Sequence, residues 1–395
     1  MHPAIANTYT RFPVTFVAGS GCRLFDENGK EYLDFAAGIA VCSLGHCHPA
    51  VTEAAIRQIV ELVHVSNLYW TRPQMEVAEL LTSKSFADQV FFCNSGAEAM
   101  EAAIKLARRH GHDRHGPDCF EVVSLIGSFH GRTLGALAAT GQPVYHAGFE
   151  PMPAGFLHVP ANDVQALEGA ISRRTAAVLL EPIQGEGGVR PLDDAFLLAA
   201  RRICDERGIL LVFDEVQAGI GRTGTLFAYE QTPVVPDVMC IAKALGNGLP
   251  IGAMLARRDI MSHLPPGSHA STFGGNPVSC AAARVVLEIV SSGDFLAKVR
   301  ETGAYLRSRL DEVAGRFPEL VSEVRGRGLI QAMELKAPRP DLANRLLERG
   351  VLALLGHGKV LRLVPPLIIT KEEIDVLITR LMHVLKETQA LSCGL

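Results

Sequence analysis

No apolar run in this chain reaches the roughly 18 to 20 residues of a membrane-spanning helix, so the sequence offers no transmembrane segment. Neither sign of charge dominates. The 38 basic and 42 acidic side chains leave a formal net charge of -4, which gives no argument for nucleic acid or a membrane surface as partner. The nine cysteines are scattered without a Cys-x-x-Cys pair. In a chain this long they read as reduced, mostly buried thiols of a cytosolic protein. The opening Met1-His2-Pro3-Ala4-Ile5-Ala6-Asn7 lacks the charged and apolar regions of a signal peptide, so a cytoplasmic location is expected. Internal repeats and low-complexity tracts are absent too. Gly45-His46-Cys47-His48-Pro49 crowds three possible metal ligands together. Adjacent ligands do not easily close one tetrahedral site, and no second cluster follows at metal spacing, so a structural turn is expected and no metal.

What is present is apolar bulk. With 395 residues, 48% of them hydrophobic, the chain can bury a large core and form two domains. The middle alternates short apolar strands with amphipathic helices, the pattern of an α/β fold with a mainly parallel sheet covered on both faces. Strands are expected at residues 89–93, 121–126, 176–180, 209–213, 238–241 and 252–256, and helices at 97–109 and 194–208. The ends differ. Residues 23–34 form a hairpin around Asn28-Gly29, a strong turn signal. A long helix follows about Asp294 and leads to a compact α+β tail, whose last helix opens on the capping box Thr370-Lys371-Glu372-Glu373. The expected division is residues 1–50 and 291–395 as two parts of a small domain, flanking a large domain over 51–290. The terminal Leu391-Ser392-Cys393-Gly394-Leu395 reads as a frayed tail.

The most informative stretch is residues 210–244. A carboxylate pair, Asp214-Glu215, ends the hydrophobic strand Leu210-Leu211-Val212-Phe213, and an isolated Lys243 sits downstream among small and apolar residues. A carboxylate that keeps a pyridinium protonated, followed by a lysine that forms an imine, is what pyridoxal phosphate chemistry requires. Each also has an ordinary reading: a loop acid or helix cap for Asp214, a snorkelling side chain for Lys243. Asn94-Ser95-Gly96-Ala97-Glu98, between a strand and a helix, suits a phosphate because helix-start N–H groups and a hydroxyl bind anions. The same residues have capping-box spacing. In Ser128-Phe129-His130-Gly131-Arg132-Thr133 the phenylalanine can stack on a flat ring and Arg132 can grip a carboxylate. Glu181-Pro182-Ile183-Gln184-Gly185-Glu186 carries acids on a glycine-rich turn, and Ser271-Thr272-Phe273-Gly274-Gly275 offers hydroxyls and close backbone approach.

Gly219-Ile220-Gly221-Arg222-Thr223-Gly224 spells the dinucleotide-binding pattern. Residues 214–218 separate it from its strand, and Thr225-Leu226-Phe227 reads as extended where a helix should open. A nicotinamide site is therefore not expected there.

Taken in order, these motifs resemble the class III (ornithine-type) aminotransferases that use pyridoxal 5'-phosphate on fold type I. The resemblance runs from the N-terminal hairpin to Arg362. Asp34-Phe35-Ala36-Ala37-Gly38-Ile39-Ala40-Val41, Leu44-Gly45-His46-Cys47-His48-Pro49 and Phe129-His130-Gly131-Arg132-Thr133 look most like the members that act on N-acetylornithine. The resemblance implies roles. Lys243 would hold the cofactor aldehyde and shuttle the proton, Asp214 would pair with the pyridine nitrogen, and Gln217 would bond the phenolic oxygen. Phe129 would stack on the ring, and Ser95, Gly96 and Ala97 would bind phosphate. Thr272 would reach the phosphate of a neighbouring subunit, implying a homodimer with shared sites. Arg132 and Ser271 would face substrate, Arg132 holding the α-carboxylate of N-acetylornithine. Arg362 would hold the α-carboxylate of glutamate, with Glu186 covering it when the other substrate is bound. The implied reaction exchanges an amino group between N-acetylornithine and 2-oxoglutarate in arginine biosynthesis. Ornithine, succinylornithine, 4-aminobutyrate and succinyl-diaminopimelate are the alternative amino donors.

Overall fold

The computed structural model describes residues 4–392; of the C-terminal tail, residues 393–395 lie outside them. A seven-stranded sheet forms the centre, in the order Gln89–Cys93, Gly252–Ala256, Val238–Ile241, Leu210–Asp214, Thr175–Leu180, Glu121–Leu125, Phe156–Val159. All neighbouring pairs are parallel except the two made by Gly252–Ala256. The strands at Val238–Ile241 and Gly252–Ala256 fall where the sequence puts them. The strand Phe156–Val159 is an addition, and the helix expected at 97–109 runs from Gly96 to His115.

Strand alternation divides the core between the two faces. Leu210 and Val212 pack with the Ala99, Ala103 and Leu106 stripe of the helix Gly96–His115. Leu211 and Phe213 face the other way, onto Phe196, Leu197 and Ala200 of the helix Asp194–Arg207. The small side chains of the first helix permit a tight approach. A Cβ at Gly111 would lie 2.4 Å from the Cys119 carbonyl oxygen. Gly208 closes the second helix in the left-handed region, φ 63°, where glycine carries no Cβ penalty.

A second, four-stranded sheet is built from Val321–Arg327, Ile330–Leu335, Val360–Leu363 and Leu354–Gly356. The N-terminal hairpin pairs as expected, Arg23 opposite Leu33 and Phe25 opposite Glu31, with Gly29 at φ 78°. Its second strand, Glu31–Asp34, then pairs in parallel with Val351–Leu352 near the other end of the chain. The Thr370 capping box forms in both directions. Thr370 N donates to Glu373 Oε2 (3.1 Å) and Glu373 N donates to Thr370 Oγ1 (3.2 Å).

Arg222, from the glycine-rich dinucleotide look-alike, is wholly buried. Its guanidinium donates to the carbonyls of Leu329 and Pro365 and to Ser43 Oγ. That segment is a turn stitching together chain ends, with Gly221 at φ 85° and Gly224 at φ 96°. His46 is engaged as well, Nε2 donating to Asp34 Oδ2 at 2.7 Å. The eight described cysteines are unpaired, six of them buried.

Candidate active site

Parallel strands deliver their carboxyl ends to one edge of a sheet, and ligands of open α/β sheets bind there. Here four adjacent strands do so in turn. Gly127–Arg132 follows Glu121–Leu125, Glu181 follows Thr175–Leu180, Asp214 ends its strand, and Lys243 lies two residues past Ile241. Asn94, Ser95 and Gly96 leave Gln89–Cys93 at the same edge. The antiparallel strand contributes its start, Leu249-Pro250-Ile251. These segments enclose a cleft of about 560 Å³, lined among others by Ser95, Gly96, Ala97, Phe129, Arg132, Glu186, Asp214, Gln217 and Lys243. Nine of the twelve residues expected at the site thus share one cavity. Arg362 stands just behind its wall, bonded to Glu186 and Gln217. Ser271 is one contact away, its Oγ accepting from Asn94 Nδ2 at 3.2 Å. Thr272 is exposed and outside the lining.

Asp214 is buried at the cleft floor. Its Oδ1 accepts from Val216 N (2.9 Å) and its Oδ2 from His130 Nδ1 (2.8 Å). His130 has a buried Nε2 with no hydrogen-bond partner among the described residues. Glu215, the other half of the sequence pair, points away. It accepts from Ala228 N and Tyr229 N, and burial pushes its carboxyl up to about 8. Glu181 bridges two walls of the cleft. Oε1 accepts from Phe129 N and Oε2 from Gly185 N, both at 2.9 Å. Its carboxyl is also pushed up, by burial first.

Lys243 adopts φ 45° at the start of a tight turn. A non-glycine residue in that region stores strain, which clusters at functional sites. Burial lowers the pKa of its ammonium, an effect that Glu186 and Asp214 partly offset. A lowered pKa raises the share of free amine, the nucleophilic and basic form.

Two arginines meet the cleft in opposite states. Arg362 Nη1 and Nη2 donate to the two oxygens of Glu186 at 2.6 and 2.7 Å, and Nη2 also donates to Gln217 Oε1 at 3.0 Å. Burial pushes the Glu186 carboxyl up, but Arg362 outweighs it and holds the group below its usual range. Gln217 Nε2 reaches Glu186 Oε1 at 3.3 Å, so its amide is tied to this pair. Arg132 instead lies over aromatic faces, 4.0 Å from the Tyr145 ring centroid and 5.4 Å from that of Phe129.

The residues present fit pyridoxal phosphate. Asp214 is a buried acceptor, and Lys243 is an amine with depressed basicity. The helix Gly96–His115 presents its N-terminus to the cleft, capped by Ser95 Oγ accepting from Glu98 N at 3.2 Å. The capping reading is therefore observed, and a cap leaves other first-turn N–H groups available to an anion. Gly96 is packed too closely to carry a side chain: a Cβ there would sit 2.6 Å from Val216 Cγ1. His130, Glu181 and Tyr145 carry contacts that the local sequence does not announce, since their partners lie 84, 52 and 16 residues away in Asp214, Phe129 and Phe129.

Such a sheet edge, with lysine, aspartate and a helix N-terminus around one cleft, defines a pyridoxal-phosphate enzyme of fold type I. The aminotransferase class-III family model matches residues 4–385. The chain is 49% identical to an acetylornithine aminotransferase of Thermosynechococcus vestitus, covering 94% of this chain and 92% of that one. It is 46% identical to one of Methanocaldococcus jannaschii over 96% and 95%. Among solved structures, N-acetylornithine aminotransferase from Stenotrophomonas maltophilia matches with a TM-score of 0.85 and 40% identity over 97% and 98% of the two chains. The ornithine aminotransferase from Toxoplasma gondii matches with 0.93 and 35% over 98% and 93%. The chain belongs to the class-III aminotransferases, and its cofactor is pyridoxal 5'-phosphate.

Proposed function

We propose that this enzyme moves the δ-amino group of N-acetylornithine to 2-oxoglutarate, giving N-acetylglutamate semialdehyde and glutamate, and so serves arginine biosynthesis. The observation that carries this reading is the contrast between its two arginines. Among the described residues no carboxylate pairs with Arg132, whereas Arg362 is covered by Glu186. An α-carboxylate remote from the reacting amine suits the free arginine. The reacting end of N-acetylornithine has no charge beside it and suits an arginine already neutralised, because an unpaired buried charge is costly. Glutamate brings a second carboxylate that replaces Glu186 at Arg362. Curated acetylornithine aminotransferases at 46–50% identity over 94–96% of this chain support the same choice.

Pyridoxal phosphate, when bound, supplies the electron sink that acidifies the C–H beside the amine. The chain does the rest. The first turn of the helix, Ser95 to Ala97, receives the phosphate. Phe129 would present a ring face, and Asp214, whose carboxylate His130 and Val216 N hold in place, would keep a proton on the pyridine nitrogen. Lys243 Nζ would take the proton from the carbon that bears the substrate's amine and deliver it to the former aldehyde carbon of the cofactor. Gln217, released from Glu186, would be free to bond the phenolic oxygen.

The same reading includes a homodimer. The helix Pro49–Glu61 and the segment after it expose Ile56, Ile59, Val60, Leu68 and Trp70, with Val60, Leu68 and Trp70 at 83, 84 and 85%. Exposed apolar side chains gathered on one stretch of chain support an interface, and Thr272, next to Ser271 whose carbonyl accepts from Asn67 Nδ2 of that stretch, would serve a partner's site from it. We assign residues 51–290 to the large domain and 1–50 with 291–395 to the small one, supported by a core joining Leu33 and Phe35 to Leu306, Leu361 and Leu381. A cytoplasmic location is supported by the unpaired thiols. Among the described residues no helix is long and apolar enough to cross a membrane.

The test is the visible spectrum of the purified enzyme. N-acetylornithine alone bleaches the cofactor band, and 2-oxoglutarate restores it. A band bleached by ornithine, succinylornithine, 4-aminobutyrate or succinyl-diaminopimelate and not by N-acetylornithine would replace the substrate. Sedimentation at micromolar concentration reports the dimer, and a monomeric, fully active species would exclude shared sites.

A further inference from the structure

Arg132 is exposed, yet among the described residues no carboxylate pairs with it. Its guanidinium is held instead by two aromatic faces that are themselves locked edge to face, Phe129 and Tyr145 at 5.9 Å and 85°. The nearer contact, 4.0 Å to the Tyr145 centroid, is close for a cation over a ring. Tyr145 is well anchored. Its N–H donates to Gln142 O (3.0 Å), and Gln142 Nε2 donates to Ser128 O (3.1 Å). Gly141 N donates to Ser128 Oγ (3.0 Å), and His146 Nε2 donates to the Leu137 and Thr140 carbonyls. The loop bearing Tyr145 is thereby fastened to the segment bearing Phe129 and Arg132.

A ring face and a carboxylate hold an arginine in different ways. A carboxylate takes the planar N–H fork and neutralises the charge, so an incoming substrate must displace it. A ring takes the face of the guanidinium and leaves the fork and the charge available for a bidentate grip. A free arginine would have to give up its rotamer freedom on binding, whereas one already laid on a ring has less to lose.

We propose that Tyr145 is a specificity-determining positioning residue, which holds Arg132 flat so that its fork selects substrates carrying a carboxylate remote from the reacting amine. This rests on the role given to Arg132 above. Phe129 provides the second contact and links the selecting arginine to the ring-facing wall of the cleft.

The test compares two amino donors in the holoenzyme: N-acetylornithine, and the same molecule without its carboxylate, N-acetyl-1,4-diaminobutane. The quantity read is the ratio of their kcat/KM values. In Tyr145→Leu the ratio falls about fivefold to tenfold, the scale of one cation–π contact. The loss lies in KM of the carboxylated donor, and kcat/KM of the decarboxylated one is unchanged. Tyr145→Phe keeps the ring and keeps the ratio. Loss of activity toward both donors together would mean that Tyr145 only supports the loop, and would overturn the proposal. A ratio unchanged in Tyr145→Leu would overturn it as well. Arg132→Leu separates the two levels: if that variant keeps the wild-type ratio, the carboxylate site of Arg132 itself is wrong.

Discussion

Glu186 and Arg362 make a two-bond ion pair, 2.6 and 2.7 Å, between a turn of the large sheet and a strand of the small one. On the function proposed above, this pairing suits a donor with no charge beside its amine. Replacing Glu186 by Gln leaves Arg362 without a counterion in a nearly buried position. The half-reaction with N-acetylornithine then slows relative to that with glutamate, by about tenfold or ~1.4 kcal/mol. Single-turnover rates of cofactor bleaching by each donor measure it. An unchanged ratio would remove Glu186 from the switch.

Asp214 and His130 form a second pair, on which turnover is expected to depend. Asp214→Asn keeps the shape but not the charge that would hold the pyridinium proton, and kcat is expected to drop by at least about a hundredfold. Circular dichroism and cofactor content should remain native. Near-normal turnover would take the ring-nitrogen role away from Asp214.

Glu215 gives a pH prediction independent of catalysis. Burial raises its folded pKa from 4.5 to about 8, so between those values the folded state holds a proton that the unfolded state has released. Stability therefore falls as pH rises through this window, by up to about 1.4 kcal/mol per pH unit from this group. Its contribution is complete below 4.5 and lost above about 8. Denaturant midpoints from pH 5 to 8 should decline more steeply in the wild type than in Glu215→Gln. Equal slopes would show that Glu215 does not titrate there.

Arg222 tests the dinucleotide look-alike. Arg222→Met leaves the Leu329 and Pro365 carbonyls without their donor and should cost about 3 kcal/mol of stability, read as a lower Tm. Turnover per folded molecule should persist, since Arg222 does not line the cleft. Protection of the wild type against unfolding by a nicotinamide dinucleotide would reverse this assignment.

Much of the architecture was legible because it is local. The strands Val238–Ile241 and Gly252–Ala256 are short apolar runs between turn signals, and the Thr370 box is a four-residue pattern with one geometry. The split of Asp214 from Glu215 was legible in principle, since successive strand residues face opposite sides, and Asp214 follows the parity of Leu210 and Val212. Other relations were not. His130 meets Asp214 across 84 residues, and Arg362 arrives from another sheet. Neither contact leaves a periodic trace. The motif letters carried Ser95, Lys243 and Glu186 to the cleft, but the free state of Arg132 and the covered state of Arg362 are facts of packing.

Glu181 holds Phe129 N with one oxygen and Gly185 N with the other. A single planar group thus ties the segment that carries Phe129 to the turn that carries Glu186. Aspartate there would be a shorter spacer and glutamine would lose one of the two acceptors. The relative position of those two cleft segments is consequently gauged by one side chain.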